Sequence, residues 1–405
     1  MAYAHGRTIH DADAHIMEAP DFLDGYVADE YAREIKRQNM FSALGEKQGR
    51  DLFAIVRGRH DDPTWLAEGE RQIMVRKNYE ALGSWRRVGR PRARDNLGFA
   101  SQLVFTTTFL GLLNLEHGND PKKRAEVARG FNRAMIDFCS VDRRMLASCY
   151  VPLADFAEAD AVAREAIALG AKALLIPSRC PKGHSPSHTG FDPVWAQAQE
   201  AGIPILFHVG GGGPLLSPDY FVNGMPPVPD FHGGDGNFRS VDYMAIPYPP
   251  MQTLATMIFD RVLDRYPRLK FGVIEQGASW LPGWMRAMDS AHTAFIKNED
   301  RLKQMSLRPS EFVRRQVRVT PYPAEETGWI IANSGDEVCM FSSDFPHVEG
   351  GRNPLKRFED AMSTTSEASK RRFYCDNFID LMGNGLASDL RGSDRASGIQ
   401  ESPKY

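Results

Sequence analysis

The sequence predicts an α/β protein folded as a (β/α)8 TIM barrel with insertions after strands one and five and a C-terminal tail. Short apolar runs alternate with amphipathic stretches along the 405 residues, and about eight such units fit a barrel of about 250 residues plus insertions. The apolar runs lack polar alternation, which is typical of parallel strands buried on both faces. An open doubly wound sheet is the competing architecture. No G-x-G-x-x-G follows the first apolar run, which counts against its dinucleotide-binding form.

Eight candidate strands follow from these apolar runs: 8–15, 102–107, 146–152, 171–177, 204–209, 269–275, 317–321 and 337–342. Four of the intervening segments have helical patterns. The segment 120–138 opens with Asp-Pro, a common start of a helix, and the segment 155–170 ends on Gly170, as expected just past a helix. The segments 191–202 and 249–267 have the same pattern.

The domain organisation follows from two long segments that interrupt the alternation of strands and helices, and from the end of that alternation near residue 384. Residues 1–384 form one predicted barrel domain with insertions at 39–98 and 210–248, and residues 385–405 form a C-terminal extension. The second insertion is rich in Gly, Pro and aromatic residues, and loops of this length are functional or disordered. Its aromatic residues predict a packed lid over the barrel mouth. The extension has few apolar residues and predicts an arm or a disordered tail.

Composition excludes several classes of function. The net charge is -3 without a basic patch, so we expect no nucleic-acid partner. The chain starts without the charged and apolar regions of a signal peptide, and its apolar runs fall short of the ~18 residues of a membrane helix. Five cysteines without a CxxC pair indicate reduced thiols. We therefore expect a cytoplasmic protein without a membrane partner.

Ligand-type residues stand at the carboxyl ends of several predicted strands, where barrel enzymes place their chemistry. Strand one ends in Asp13-Ala14-His15, and residues two apart on a strand share a face. His208 closes strand five, Glu275 closes strand six, and "CMFSSDFPH" places Asp344 after strand eight. Two histidines and two aspartates that converge would suit Zn²⁺, Mn²⁺ or Fe²⁺.

Each of these residues also has a structural explanation. A lone histidine that closes a strand, such as His208, is commonly a hydrogen-bonded packing residue, and Asp344 could cap the following turn. Glu275 is harder to explain in this way, because a buried carboxylate without a partner is costly. The functional interpretation depends on four separate strand ends that all carry such residues.

The motifs also resemble those of a known family. The order D-x-H, H-x-G-G, "IEQGASWLPGWMRAMD" and "FSSDFPHVEG" resembles the amidohydrolase-related proteins, which include aminocarboxymuconate-semialdehyde decarboxylase-like and resorcylate decarboxylase-like enzymes. The resemblance covers roughly residues 7–384 and implies a metal-dependent barrel enzyme. It implies a metal-binding role for Asp13, His15, His208 and Asp344.

Two positions depart from patterns known in this family. A histidine often follows strand six as the acid/base of the decarboxylases, whereas Glu275 stands here, which leaves the usual scheme of decarboxylation open. Strand four ends in "LLIPS" without a lysine, so the carbamylated-lysine two-metal site of other amidohydrolases is not expected.

Our leading hypothesis is a metal-dependent decarboxylase or hydrolase that acts on a small carboxylated substrate. The lid aromatics indicate an apolar or aromatic pocket, and they could equally serve a subunit interface. We expect Zn²⁺, with Mn²⁺ or Fe²⁺ as alternatives, and Glu275 as the acid/base. His347 would orient Asp344 or relay a proton. Arg179 and Arg352 are candidate clamps for the substrate carboxylate, since guanidinium binds carboxylate in a bidentate manner. A solvated loop arginine is the alternative for each.

Glu18 leaves an alternative open. A branch of the family resembles oxygen-activating enzymes with dinuclear Fe or Mn sites, among them a two-subunit aminoisobutyrate hydroxylase, and Glu18 could hold a second ion. The chain could also be the non-catalytic metal-binding partner in such a pair. The large lid, the tail and the oligomers that the resemblance to this family implies predict a homo-oligomer, or a hetero-oligomer with a homologous chain. The lid aromatics are Tyr220, Phe221, Phe231 and Phe238.

Overall fold

In the computed structural model, which describes residues 2–36, 46–210, 215–226 and 239–391, seven parallel strands form one sheet. The strands pair in sequence order, from the first to the seventh. This arrangement is the predicted barrel sheet. The strands are β1 (His10–His15), β2 (Ser101–Phe105), β3 (Met145–Tyr150), β4 (Ala173–Leu175), β5 (Ile205–His208), β6 (Phe271–Ile274) and β7 (Val317–Val319).

Residues 338–345, which we call the closing segment, take the place of the predicted eighth strand 337–342. The segment forms isolated bridges rather than a regular strand. Its backbone is nevertheless bonded on both sides: the Met340 N–H donates to the Val319 carbonyl of β7 at 2.9 Å, and the Phe341 carbonyl accepts from the Ala12 N–H of β1 at 3.0 Å. The segment therefore joins the last strand to the first and closes the barrel.

A buried carboxylate explains why the closing segment is not a regular strand. The Ser343 N–H donates to Asp11 Oδ1 at 2.8 Å and the Ser343 hydroxyl to Asp11 Oδ2 at 2.7 Å. The Ser343 N–H is therefore bonded to a side chain instead of a backbone carbonyl of β1. The pairing of β1 with β2 is also irregular between Asp11 and Ala14.

Seventeen helices lie among the described residues, and most surround the sheet. Their bounds are α1 Asp29–Lys36, α2 Glu46–Arg59, α3 Pro63–Arg71, α4 Arg90–Leu97, α5 Pro121–Cys139, α6 Phe156–Leu169, α7 Asp192–Ala201, α8 Ser240–Ala245, α9 Tyr248–Phe259, α10 Val262–Arg265, α11 Leu281–Phe295, α12 Asp300–Lys303, α13 Pro309–Gln316, α14 Thr327–Ser334, α15 Pro354–Ala361, α16 Glu367–Arg371 and α17 Asn377–Met382. Within the described chain, no helix has the length and hydropathy to cross a membrane.

Three of the four predicted helices are confirmed as α5, α6 and α7, and the predicted start signal of α5 and end signal of α6 are in place. The Asp120 and Asp155 side chains accept backbone N–H groups at the starts of α5 and α6, and Gly170 ends α6 in a left-handed conformation. The prediction of one continuous helix over 249–267 is wrong. The segment divides into α9 and α10 because Arg261 has a φ of 65°, which an α-helix does not accommodate.

The barrel interior and its amino end form one apolar cluster. Leu103 and Leu206 of the strands pack in this cluster with Phe378 and Leu381 of α17, and the Phe378 ring stacks on His10 at the start of β1 with centroids 5.0 Å apart. The helix α17 thus covers the amino ends of the strands, opposite the predicted site.

The predicted C-terminal extension begins within this packed region. Leu386 and Leu390 are buried in the same apolar cluster, so the packed chain continues past the predicted boundary at residue 384. The rest of the extension, residues 392–405, lies outside the described residues, and so do residues 39–45, 211–214 and 227–238 of the two predicted insertions.

The first insertion packs over the carboxyl end of β1. Phe53 and Val56 of α2 form a small apolar cluster with Tyr79 and with Met17, two residues past β1. The insertion is therefore positioned to contact the segments that follow the first strand.

Candidate metal centre

The carboxyl ends of β1, β5 and β6 and the closing segment bring six predicted side chains together. Carboxyl ends of parallel strands meet at one end of a barrel, so residues far apart in sequence become neighbours. Two overlapping groups of four have potential ligand atoms within 4.8 Å of one another. The first contains Asp13, His15, His208 and Glu275, and the second contains His15, Glu275, Asp344 and His347.

His15 and His208 are both held in the form that binds a metal. His15 Nδ1 lies 2.6 Å from the Thr106 carbonyl oxygen, and His208 Nδ1 lies 2.8 Å from the Val209 carbonyl oxygen. Because a carbonyl oxygen only accepts, each Nδ1 must carry the proton. Nε2 of each ring is then the nitrogen that faces the site, which is the usual arrangement of a histidine ligand.

These two Nε2 atoms face carboxylate oxygens. His15 Nε2 lies 3.1 Å from Asp13 Oδ1 and 3.6 Å from Asp344 Oδ1. His208 Nε2 lies 3.3 Å from Glu275 Oε2 and 3.4 Å from Asp13 Oδ1. A divalent cation between these ring nitrogens and carboxylate oxygens would be bound by both kinds of donor.

The electrostatics of the cluster agree with a cation site. Burial, with Asp344 and Asp13 next in effect, raises the pKa of Glu275 well above its ordinary value. Burial, followed by His347, lowers the pKa of His15 to about 4. Both Asp344 carboxylate oxygens lack a well-formed hydrogen bond within the described chain. Buried oxygen and nitrogen donors of this kind fit a divalent ion such as Zn²⁺, Mn²⁺ or Fe²⁺.

Glu275 and Asp344 both occupy the left-handed backbone region, with φ values of 53° and 52°. This conformation is uncommon outside glycine and is concentrated at functional sites. Hydrogen bonds hold both residues in it. The Glu275 N–H donates to Thr320 Oγ1 at 2.9 Å and its carbonyl accepts from the Tyr322 hydroxyl at 2.7 Å; the Asp344 N–H donates to the Asp13 carbonyl at 2.9 Å.

His347 lies beside the cluster with partners at both ring nitrogens. Its Nδ1 lies 3.0 Å from Asp344 Oδ1, and its Nε2 lies 2.7 Å from Thr107 Oγ1. Burial by itself would lower the pKa of His347. Asp344 and other acidic neighbours raise it by more, so the pKa lies above its ordinary value. His347 is therefore within hydrogen-bond distance of Asp344, and its role in orienting that carboxylate stays a prediction.

Glu18 belongs to neither ligand group. Its carboxylate accepts the Thr106 hydroxyl and the backbone N–H groups of Thr107 and Thr108, the latter two at 3.1 and 3.0 Å. The loop of residues 106–108, which we call the Glu18 loop, supplies the carbonyl bonded to His15 and the hydroxyl at His347. Glu18 therefore holds the loop that contacts both His15 and His347.

The two predicted arginine clamps are in different surroundings. Arg179 is half-buried and lines a cavity of about 700 Å³, whereas Arg352 is exposed. Ser178, the neighbour of Arg179 in the chain, donates its hydroxyl to the His208 carbonyl at 3.1 Å. The cavity is lined by Arg179, Cys180, Ser185, Pro186, Leu215, Tyr248, Pro249, Gln252, Thr253 and Thr256.

The described ends of the predicted lid take part in this cavity. Leu215 and Tyr248 are among its lining residues. Tyr220 is exposed and Phe221 lies under the Arg239 guanidinium. The other two lid aromatics, Phe231 and Phe238, fall outside the described residues.

Sequence reasoning missed two basic residues of the first insertion that lie near the site. Arg90 Nη1 donates to the His15 carbonyl at 2.9 Å, and its guanidinium lies 5.1 Å from the centre of the Phe345 ring. The Lys77 amine is buried, and the charge of Asp344 acts on it. Both belong to charged stretches that resemble a solvated surface, so no signal in the sequence distinguishes them from exposed neighbours.

Comparisons with known proteins agree with this architecture. A protein-family model described as amidohydrolase matches residues 11–381. No curated protein matches the chain. A solved amidohydrolase from Mycobacterium avium subsp. paratuberculosis is 23% identical with a TM-score of 0.70, and the match covers 94% of this chain and 100% of that one.

Two similar structures are decarboxylases. A 2,6-dihydroxybenzoate decarboxylase from Rhizobium is 15% identical with a TM-score of 0.59, covering 94% of this chain and 99% of that one. A 5-carboxyvanillate decarboxylase from Novosphingobium aromaticivorans, complexed with manganese and 4-hydroxy-3-methoxy-5-nitrobenzoic acid, is 19% identical with a TM-score of 0.61, covering 93% and 96%. At these identities the likeness shows the fold.

Proposed function

Because the chain belongs to the amidohydrolase family of enzymes, we propose that it is a metal-dependent decarboxylase or hydrolase of small carboxylated aromatic molecules. The observation that carries the proposal is the pair of buried histidines, His15 and His208, whose Nε2 atoms face the carboxylates of Asp13 and Glu275. The decarboxylases of similar fold, which act on aromatic carboxylates by their names, support the substrate class.

Four residues would hold the ion in this proposal. They are Asp13, His15, His208 and Asp344. A bound divalent ion would polarise a substrate oxygen or lower the pKa of a bound water. We keep Zn²⁺ as the expected ion because of the mixed nitrogen and oxygen donors, with Mn²⁺ and Fe²⁺ as alternatives; the manganese in a structure of similar fold favours testing Mn²⁺ beside it.

Glu275 is the proposed acid/base. Its side chain is 12% exposed, whereas that of Asp13 is 1% exposed, so Glu275 is the more accessible carboxyl from the barrel mouth. In a decarboxylation Glu275 would give a proton to the ring carbon as the bond from that carbon to the carboxyl group breaks. In a hydrolysis it would take a proton from the attacking water. His347 would keep Asp344 in place.

The test combines metal analysis with turnover. Protein loaded separately with Zn²⁺ and Mn²⁺ would be incubated with 2,6-dihydroxybenzoate, 5-carboxyvanillate and a panel of aromatic amides and lactones, and CO2 or product would be followed. We expect turnover of a carboxylated aromatic by the wild type and loss of turnover with full metal content in Glu275→Gln. Glu200→Gln, exposed at the end of α7, is the matched control. A wild type that binds no ion, or an active Glu275→Gln, would contradict the proposal.

The same measurements separate the alternatives. Two Fe or Mn ions per chain with O2 uptake would indicate the dinuclear hydroxylase. Full metal content with turnover only after a homologous chain is added would indicate the partner chain. The homo-oligomer stays a prediction, which light scattering of the purified protein would check. The described contacts of Glu18 and of both His347 nitrogens favour one ion.

A further inference from the structure

Lys77 lies where the first insertion meets the loop after the closing segment. The next residue, Asn78, donates its backbone N–H to the Pro346 carbonyl at 2.8 Å. Asn78 is held in the left-handed region, with a φ of 51°. This contact fixes Lys77 close in space to Asp344, which is two residues before Pro346 and belongs to the proposed metal site.

The Lys77 amine is buried and lacks a hydrogen-bond partner within the described chain. The carboxylates of Asp344 and Glu349 act on its charge, and Arg352 opposes them. No described acidic group lies within ion-pair distance of it. An ammonium has three N–H donors, and burying them without acceptors is costly. A cost of this kind is commonly tolerated where a ligand supplies the missing acceptors.

The amine is charged under ordinary conditions. Burial lowers the pKa of Lys77 to about 8, with Asp344 and Glu349 working in the opposite direction. At a pH near 7 most of the population therefore carries a positive charge. Asp344 is the ligand-type neighbour, and its carboxylate would be shared with a metal ion, so it does not supply a dedicated counter-charge.

We propose that Lys77 binds a carboxylate group of the substrate beside the metal site. The proposal rests on the proposed function and names the residue that recognises the anionic group. Lys77 is better placed for this than the arginines predicted from sequence. Arg352 is exposed, and Arg179 lines a cavity that none of the six clustered side chains helps to line. An incoming carboxylate would give the amine both its acceptors and its counter-charge.

The experiment measures binding by metal-loaded full-length protein. Isothermal titration would compare benzoate, 2,6-dihydroxybenzoate and 4-hydroxy-3-methoxy-5-nitrobenzoate with their neutral amides, in the wild type and in Lys77→Met, Lys77→Gln and Lys77→Arg. Arg352→Met and Arg179→Met are the matched controls. The metal content and thermal unfolding of every variant would be measured first.

We expect Lys77→Met and Lys77→Gln to bind the carboxylates on the order of 10- to 100-fold more weakly, with affinity for the amides unchanged, because one charge-assisted contact is lost. Lys77→Arg should retain part of the preference for carboxylates. The metal content should stay at the wild-type value, and removal of an unpartnered charge should not lower the unfolding temperature.

Three outcomes would overturn the proposal: a wild type that binds none of the three carboxylates more tightly than its amide, a Lys77→Met that keeps the full preference, or an Arg352→Met or Arg179→Met that alone abolishes it. A wild type without bound metal would contradict the proposed function instead, and metal analysis reports that result separately.

Discussion

The strand ends and the first insertion contribute to the same site in different ways. The strand ends supply the six clustered side chains, which the barrel places at one end because its strands are parallel. The insertion supplies contacts to the backbone that carries them. Arg90 donates to the His15 carbonyl at 2.9 Å, and the Tyr79 hydroxyl donates to the Glu18 carbonyl at 2.9 Å. The barrel thus sets which groups meet, and the insertion helps to set how they are held.

The largest effect, on metal content and thermal unfolding, is expected when a proposed strand-end ligand is removed. His208→Ala should lose the bound ion, because three donors remain of the proposed four. The wild type should unfold at a lower temperature after chelation, since an ion present at 1,000 times its Kd stabilises the folded state by about 4 kcal/mol. His208→Ala should show no such response. Metal analysis and thermal unfolding with and without chelator measure both effects.

His5→Ala, at an exposed histidine, is the control for this experiment and should behave as the wild type. If His208→Ala kept the full metal content, the assignment of the strand-end cluster as a metal site would be wrong.

The next prediction concerns the contacts of Asp11, by which the barrel itself holds the strand ends. Asp11→Ala should lower the free energy of unfolding by about 4 kcal/mol, because it leaves the Ser343 N–H, the Ser343 hydroxyl and the Gln102 amide without their acceptor in a buried place. Urea unfolding measures the change. Asp21→Ala, at an exposed aspartate, should change it by less than about 0.5 kcal/mol. Equal changes in the two variants would refute the role of Asp11 in barrel closure.

The first test of the insertion compares two arginines of α4. Arg90 is fully buried, whereas Arg92 is exposed and paired with Glu70. Arg90→Ala should lower the free energy of unfolding by about 3 kcal/mol, since the His15 carbonyl loses its donor and the packing on Phe345 is lost. Arg92→Ala should cost about 0.5 kcal/mol or less. Chemical denaturation of both variants is the measurement, and similar values would mean that the insertion is peripheral.

A smaller effect would show whether Glu18 orients the ligand residues or binds an ion itself. Glu18→Gln should weaken metal affinity by about 10- to 100-fold, as expected for a residue that orients ligands, because the amide cannot accept all three donors of the Glu18 loop. The number of ions per chain should stay the same. A competition titration with a chelating dye gives the affinity and metal analysis gives the number. A halved number of ions would instead identify Glu18 as a ligand of a second ion.

The smallest effect concerns a buried histidine of the insertion. Burial lowers the pKa of His60, and the hydrogen bond to the Tyr79 carbonyl at 2.9 Å only partly opposes this. The unfolded chain therefore gains a proton below about pH 6.5 more readily than the folded chain, so stability falls as pH falls through that value. Between about pH 7.5 and about pH 5.5 the loss is at most about 1.4 kcal/mol.

His60→Gln keeps a donor for the Tyr79 carbonyl but does not titrate, so it should lose less stability than the wild type over this range. Every other titrating group is common to both proteins, and the difference between their urea-unfolding profiles isolates His60. Parallel profiles at the two pH values would show that His60 titrates equally in the folded and unfolded chain.

The sequence alone determined the barrel and the residues that meet in it. Continuous apolar runs predicted the strand positions because burial on both faces removes polar alternation, and the parallel topology then implied that Asp13, His15, His208, Glu275 and Asp344 would converge. Local signals were reliable where the physics is local: the start of α5 at Asp120 and the glycine at Gly170 stand as expected.

The tertiary structure alone decided how the site is supported. The contacts of Asp11 with Ser343 and of Arg90 with His15 join residues 332 and 75 positions apart. The same holds for the position of Lys77 beside Asp344. A buried arginine or lysine has the same composition and pattern as an exposed one, because its burial depends on where the rest of the chain packs. For the same reason Glu18, close in sequence to two proposed ligand residues, turns to the Glu18 loop and not to the cluster.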